Sequence, residues 1–115
     1  MNYFPKLSQK DKKILRVENQ KHIIENSVNW FSDQMKDELL KHLDRPGWKH
    51  ESIFYLLRRL NEELAELFEA IGSNETREKV TKESADISNF AMMVADVYRQ
   101  RLKSTEVEEK AKEAK

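Results

Sequence analysis

Two acid clusters at helical spacing stand out in this chain, Glu62-Glu63-Leu64-Ala65-Glu66 and Glu83-Ser84-Ala85-Asp86. Residues three apart lie on one side of a helix, so Glu63 pairs with Glu66 and Glu83 with Asp86. Two such helices packed face to face bring four carboxylates together, an arrangement that is costly unless a cation neutralises it. The chemistry implied is metal binding. The chain has no cysteine, and His22, His42 and His50 share no ligand spacing, so the donors are oxygens. Oxygen donors favour a hard cation, Mg²⁺ above all, with Mn²⁺ as a substitute. Neither acid pair continues as the Glu-x-x-His of di-iron bundles, and no calcium-loop sequence occurs. Mg²⁺ usually keeps water and is shared with substrate phosphates, so a four-carboxylate cleft on helices suggests a polyphosphate ligand.

The elements that must position these acids read as helices. At about 100° per residue, Leu57, Leu60, Leu64, Leu67, Phe68 and Ile71 form an apolar arc with Glu63 at its edge and Glu66 one step further round, whereas Glu62 and Glu69 point nearly opposite. On the next helix Val80, Ile87, Phe90, Ala91, Val94 and Tyr98 make an apolar ridge; Glu83 falls within it and Asp86 on its shoulder. A solvated charge stripe accounts for Glu62 and Glu69 but not for Glu83. An earlier helix is expected from Ser27, where Val28, Phe31, Met35, Leu39, Leu40 and Leu43 recur at helical spacing and Asp44-Arg45-Pro46-Gly47 closes the run. Gly72 suits the C-terminal cap of the first acid-bearing helix, and Asn74 suits the start of the second, which is expected from Glu75 to about Arg101 with a possible break near Thr81.

With 115 residues, only two glycines and two prolines, and little strand-like alternation, the expectation is a single all-α domain, a helical bundle completed by homodimerisation. Residues 1–26 form an N-terminal extension open to both a helical and an extended reading, 27–103 the helical domain, and 104–115 a polar tail expected to be frayed or disordered. The 21 basic residues are balanced by 21 acidic ones, so there is no basic field for polymeric nucleic acid. No stretch has the length and apolarity of a membrane span, and no signal-like segment opens the chain, which points to a cytoplasmic protein.

The order E-E-x-x-E then E-x-x-D, within "RPGWKHESIFYLLRRLNEELAELFEAI" and "KESADISNFAMMVAD", resembles the MazG-like nucleoside triphosphate pyrophosphohydrolases of the all-α pyrophosphatase superfamily, over about Trp30 to Leu102. The resemblance implies Mg²⁺-dependent hydrolysis of an NTP or dNTP to the monophosphate and pyrophosphate, in a helical active site completed by dimerisation and serving nucleotide-pool control or sanitation. It places Glu63 and Glu66 as the first metal-binding pair and Glu83 and Asp86 as the second. The reaction would be in-line attack of a metal-bound water on the α-phosphorus, with Glu63 and the spare carboxylate Glu62 as catalytic candidates, although the helical phase of Glu62 favours solvent. Lys79 and Lys82 are candidates to touch phosphate or are solvated lysines. Asn89, one further step along the Asp86 face, either orients a ligand or makes a buried structural hydrogen bond. Trp48, between the Pro46-Gly47 breaker and the acid-bearing helix, either stacks on the base or packs the connector onto the bundle. Two alternatives stay open: a non-catalytic dimeric helical interaction module, and a phosphoribosyl-ATP pyrophosphohydrolase.

Overall fold

The computed structural model describes residues 6–113. It contains three helices and, among the described residues, no strand: α1 (Gln9–Leu40), α2 (Ile53–Gly72) and α3 (Arg77–Glu113). The chain divides into two compact units, Met1–Asp33 and Gln34–Lys115.

The first unit consists, among its described residues, of a short lead and most of α1. The Ser8 hydroxyl accepts from the Asp11 backbone N–H at 3.0 Å and caps the helix, so the helical reading holds from Gln9 onward, while residues 1–5 lie outside the described residues. Its Ile14, Leu15, Val17, Ile23, Ile24 and Val28 are all exposed. They lie on no core of their own.

The second unit is built on an antiparallel hairpin of α2 and α3. Ser52 caps α2 by accepting from the Phe54 N–H at 3.2 Å. The turn between the helices differs from the expected one. Gly72 is the last residue of α2 and keeps a negative φ, while Asn74 takes the left-handed conformation at φ 53°, which asparagine tolerates better than most residues. The backbone N–H groups of Ser73 and Glu75 then satisfy the carbonyls of Glu69 and Ala70. Thr76, not Asn74, caps α3, accepting at Oγ1 from the Lys79 N–H at 3.2 Å. No break occurs near Thr81, whose hydroxyl donates back to the Arg77 carbonyl at 2.8 Å. The helix also runs past Arg101 to Glu113, where the expected polar tail is instead helical up to the last two residues, which lie outside the description. Glu, Lys and Ala dominate this stretch, and all three favour helix without needing a buried face.

The hairpin buries a different stripe of α2 from the one its apolar arc suggests. Leu56, Glu63 and Ala70, one every seven residues, face inward, whereas Leu57, Leu64, Phe68 and Ile71 remain exposed, Phe68 at 70%. On α3 the buried positions among the described residues are Glu83, Ala85, Asn89 and Val97. The last turns of α1 (34–40) complete the unit: Asn89 Nδ2 donates to the Met35 carbonyl at 3.0 Å, and Glu38 is buried.

Candidate functional site

Three of the four expected ligands come together. Carboxylate oxygens of Glu63, Glu83 and Asp86 lie within 4.8 Å of one another, Glu63 and Glu83 buried and Asp86 half-buried. Each has a basic residue four positions earlier on its own helix: Arg59 Nη2 lies 3.0 Å from Glu63, Lys79 Nζ 2.8 Å from Glu83, and Lys82 Nζ 3.0 Å from Asp86. The i, i+4 register brings each pair together across one helical turn. Arg59 is further fixed by its approach to the Phe90 ring, 5.3 Å from the centroid.

The two buried glutamates differ in charge state. Burial raises the Glu63 carboxyl to about 7, helped by a hydrogen bond shared with Glu66 and by repulsion from Glu66 and Asp86, against the lowering effect of Arg59. Burial thus favours the protonated form of Glu63 well above the pH at which a solvated glutamate ionises. Burial acts on Glu83 in the same direction, but the Lys79 ammonium and a hydrogen bond with Glu66 outweigh it and hold Glu83 below the ordinary carboxylate range. Glu83 is only 1% exposed, and its Oε2 has no hydrogen-bond partner among the described residues. A buried, charged, unsatisfied oxygen is costly, and a bound cation would satisfy it.

Glu66 stands apart from the other three as an exposed residue outside the converging set, close enough for its charge to act on Glu63. It lies on the rim shared by two clefts. One, of about 350 Å³, is lined by Glu66, Glu69, Lys79 and Glu83 among others. The other, of about 210 Å³, holds Glu63, Glu66, Asp86, Arg59, Lys82 and Asn89. Lys79 and Lys82 border the clefts while pairing with Glu83 and Asp86.

No family model matches the chain, and no curated protein or solved structure matches it. The site must be read from its own geometry.

Two expected site residues lie elsewhere. Glu62 is exposed and pairs with Arg59 Nη1 on the outer side of α2, which removes it from the acid cluster, as its helical phase requires. Trp48 borders a loop cavity with Pro46, Gly47, Lys49, His50 and Glu51, not the acid-lined clefts. Its indole N–H donates to Asp96 Oδ2 at 2.9 Å, and Asp96 is about 15 Å further along α3 than Asp86 at 1.5 Å per residue. The Trp48 bond, with a second from Arg99, keeps the Asp96 carboxyl below its usual range. Trp48 thus pins the connector to α3, the packing alternative. Trp48→Ala should lower stability by about 2 kcal/mol, less than the ~3–5 kcal/mol of a fully buried large aromatic, and leave the KM of the folded protein unchanged. Chemical denaturation together with steady-state kinetics checks both.

Glu38 was not among the expected site residues. It sits on α1 with 7% exposure and lines the 210 Å³ cleft. Its Oε1 accepts from Lys41 Nζ at 2.6 Å, while Oε2 is buried without a partner among the described residues. The signal was present but weaker than for Glu83: Glu38 falls at the edge of the helical arc of Phe31, Met35 and Leu39, whereas Glu83 falls inside its own.

Proposed function

We propose that this protein is a Mg²⁺-dependent nucleoside triphosphate pyrophosphohydrolase that releases a nucleoside monophosphate and pyrophosphate. The supporting observation is the convergence of Glu63, Glu83 and Asp86 within 4.8 Å, together with the unsatisfied buried oxygen of Glu83. The all-oxygen donor set fits Mg²⁺ or Mn²⁺. When bound there, the ion would supply Lewis-acid polarisation of a phosphoryl oxygen and a more acidic water.

The protein's own groups divide the remaining work. Glu63, Glu83 and Asp86 would hold the cation, with Glu66 on the rim of the same cleft. Arg59, Lys79 and Lys82 neutralise these carboxylates in the metal-free protein. With a divalent ion held by these carboxylates, Arg59, Lys79 and Lys82 would be free to meet the phosphates of a polyphosphate in the cleft. Negative charge that builds on the leaving pyrophosphate then meets preformed positive groups at the cleft wall.

The deciding experiment offers purified protein with Mg²⁺ each NTP and dNTP and quantifies monophosphate and pyrophosphate separately. Equal yields of the two, abolished by EDTA, are expected; diphosphate with orthophosphate would overturn the reading.

Homo-oligomerisation belongs to the same proposal. Leu57, Leu64, Phe68 and Ile71 form a contiguous bare arc on α2, and the apolar residues of the first unit are equally uncovered. A patch of this extent ordinarily marks an interface. Static light scattering at micromolar concentration should return at least the dimer mass; a monomeric mass would refute self-association.

A further inference from the structure

Beside the acid cluster, the same cleft carries groups that neither ion holding nor phosphate neutralisation employs. Glu38 comes from α1 and does not belong to the set of carboxylates whose oxygens converge within 4.8 Å. Its charge is already met by Lys41 at 2.6 Å. What it lacks is a donor for Oε2, since the residue is 7% exposed and that oxygen has no partner among the described residues. Asn89 has the same need. Its Nδ2 is committed to the Met35 carbonyl at 3.0 Å, which fixes the amide with Oδ1 buried and unpartnered. Met35 and Glu38 are three residues apart on α1, and Glu38 and Asn89 line the same cleft. Leu39, Phe90 and Met93 line the cleft with them.

Apolar walls beside two fixed acceptors suit a flat, largely apolar ring that carries N–H donors on its edge. An exocyclic amino group brings two N–H donors to two acceptors, whereas uracil and hypoxanthine bring one ring N–H beside a carbonyl, so the pair distinguishes cytosine from uracil and adenine from hypoxanthine. We propose that Glu38, with Asn89, forms a nucleobase-reading subsite that selects nucleotides bearing an exocyclic amino group. This inference rests on the nucleotide reading above and narrows it, because a site of this kind turns deaminated nucleotides away instead of clearing them. A keto base without an exocyclic amino group offers a single ring N–H, which cannot serve both Glu38 Oε2 and Asn89 Oδ1, and it sets a carbonyl beside them.

The test compares kcat/KM for dCTP against dUTP and for dATP against dITP, in the wild type and in Glu38→Gln, with Mg²⁺. The wild type should favour the amino base of each pair by about 100-fold or more, mainly through KM. Glu38→Gln keeps the shape of the side chain and adds an N–H donor, so the preference should shrink by about tenfold or more as the keto bases improve. Equal rates on both members of each pair in the wild type would overturn the proposal, as would a Glu38→Gln protein, folded by thermal melt, that retains the wild-type preference. Calorimetric titration of the wild type with the α,β-imido analogues of dCTP and dUTP separates this proposal from the hydrolytic one. Tighter binding of the cytosine analogue upholds base reading even without turnover. Equal binding, or no binding of either, defeats it.

Discussion

Glu83→Gln is expected to lower pyrophosphate release by about 10³-fold or more, the scale of losing a group that stabilises charge at the reacting centre, while the protein remains folded. Glutamine has nearly the volume of glutamate and can donate to Glu66, so the buried position stays filled. Because Lys79 holds the native Glu83 in its charged form, the substitution should cost the metal-free protein a small amount of stability. The relief expected from clustered acids alone does not apply at this position, where the cation four residues earlier already supplies compensation. Mg²⁺ should stabilise the wild type by about 2.7 kcal/mol at a concentration 100 times its dissociation constant. In Glu83→Gln most of that gain should vanish, as one of three converging ligands is lost. Thermal melts with and without Mg²⁺ provide the measurement. An identical Mg²⁺ shift in both proteins would make Glu83 a structural residue and remove the main support for the metal site.

The positions of Glu63, Glu83 and Asp86 could be read from helical phase because each is placed by its own helix, and the i, i+3 rule holds whatever the helix packs against. Which face of α2 turns inward could not be read that way. The arc of Leu57, Leu64, Phe68 and Ile71 is the most apolar side of α2, yet the hairpin seats Leu56, Glu63 and Ala70 instead. That choice depends on both packing partners at once and not on α2 alone. Glu38 was missed for a related reason. Its burial follows from the end of α1 meeting α3, a contact far apart in sequence, although its helical phase alone marked it as unusual. Trp48 was ambiguous because a tryptophan after a Pro-Gly break suits a connector and a binding site equally. The carboxylate that decides between them, Asp96, lies at a distance in sequence that no local pattern specifies.

Between about pH 5 and pH 8 the metal-free protein should become less stable as pH rises, by on the order of 3 kcal/mol at full titration. The sign comes from Glu63, whose carboxyl is raised from 4.5 to about 7 in the folded chain, first by burial and then by the hydrogen bond and repulsion from Glu66. In this window the folded protein binds more protons than the unfolded one, so the contribution is complete below pH 4.5 and is lost as pH passes through 7. Glu83 does not mask the trend: its depressed carboxyl adds stability that disappears only at more acidic pH, outside the window. Melting temperatures in EDTA across this range should therefore fall by several degrees in the wild type, and the slope should flatten in Glu63→Gln, which stays neutral throughout. Mg²⁺ reverses the preference, because a ligand carboxylate must release its proton to bind. Affinity for Mg²⁺ should accordingly rise through pH 7, and the melting curves with and without metal should diverge with increasing pH. A wild-type melting temperature that is flat from pH 5 to pH 8 in EDTA would show that Glu63 is ionised throughout, and that its proton plays no part in gating the metal.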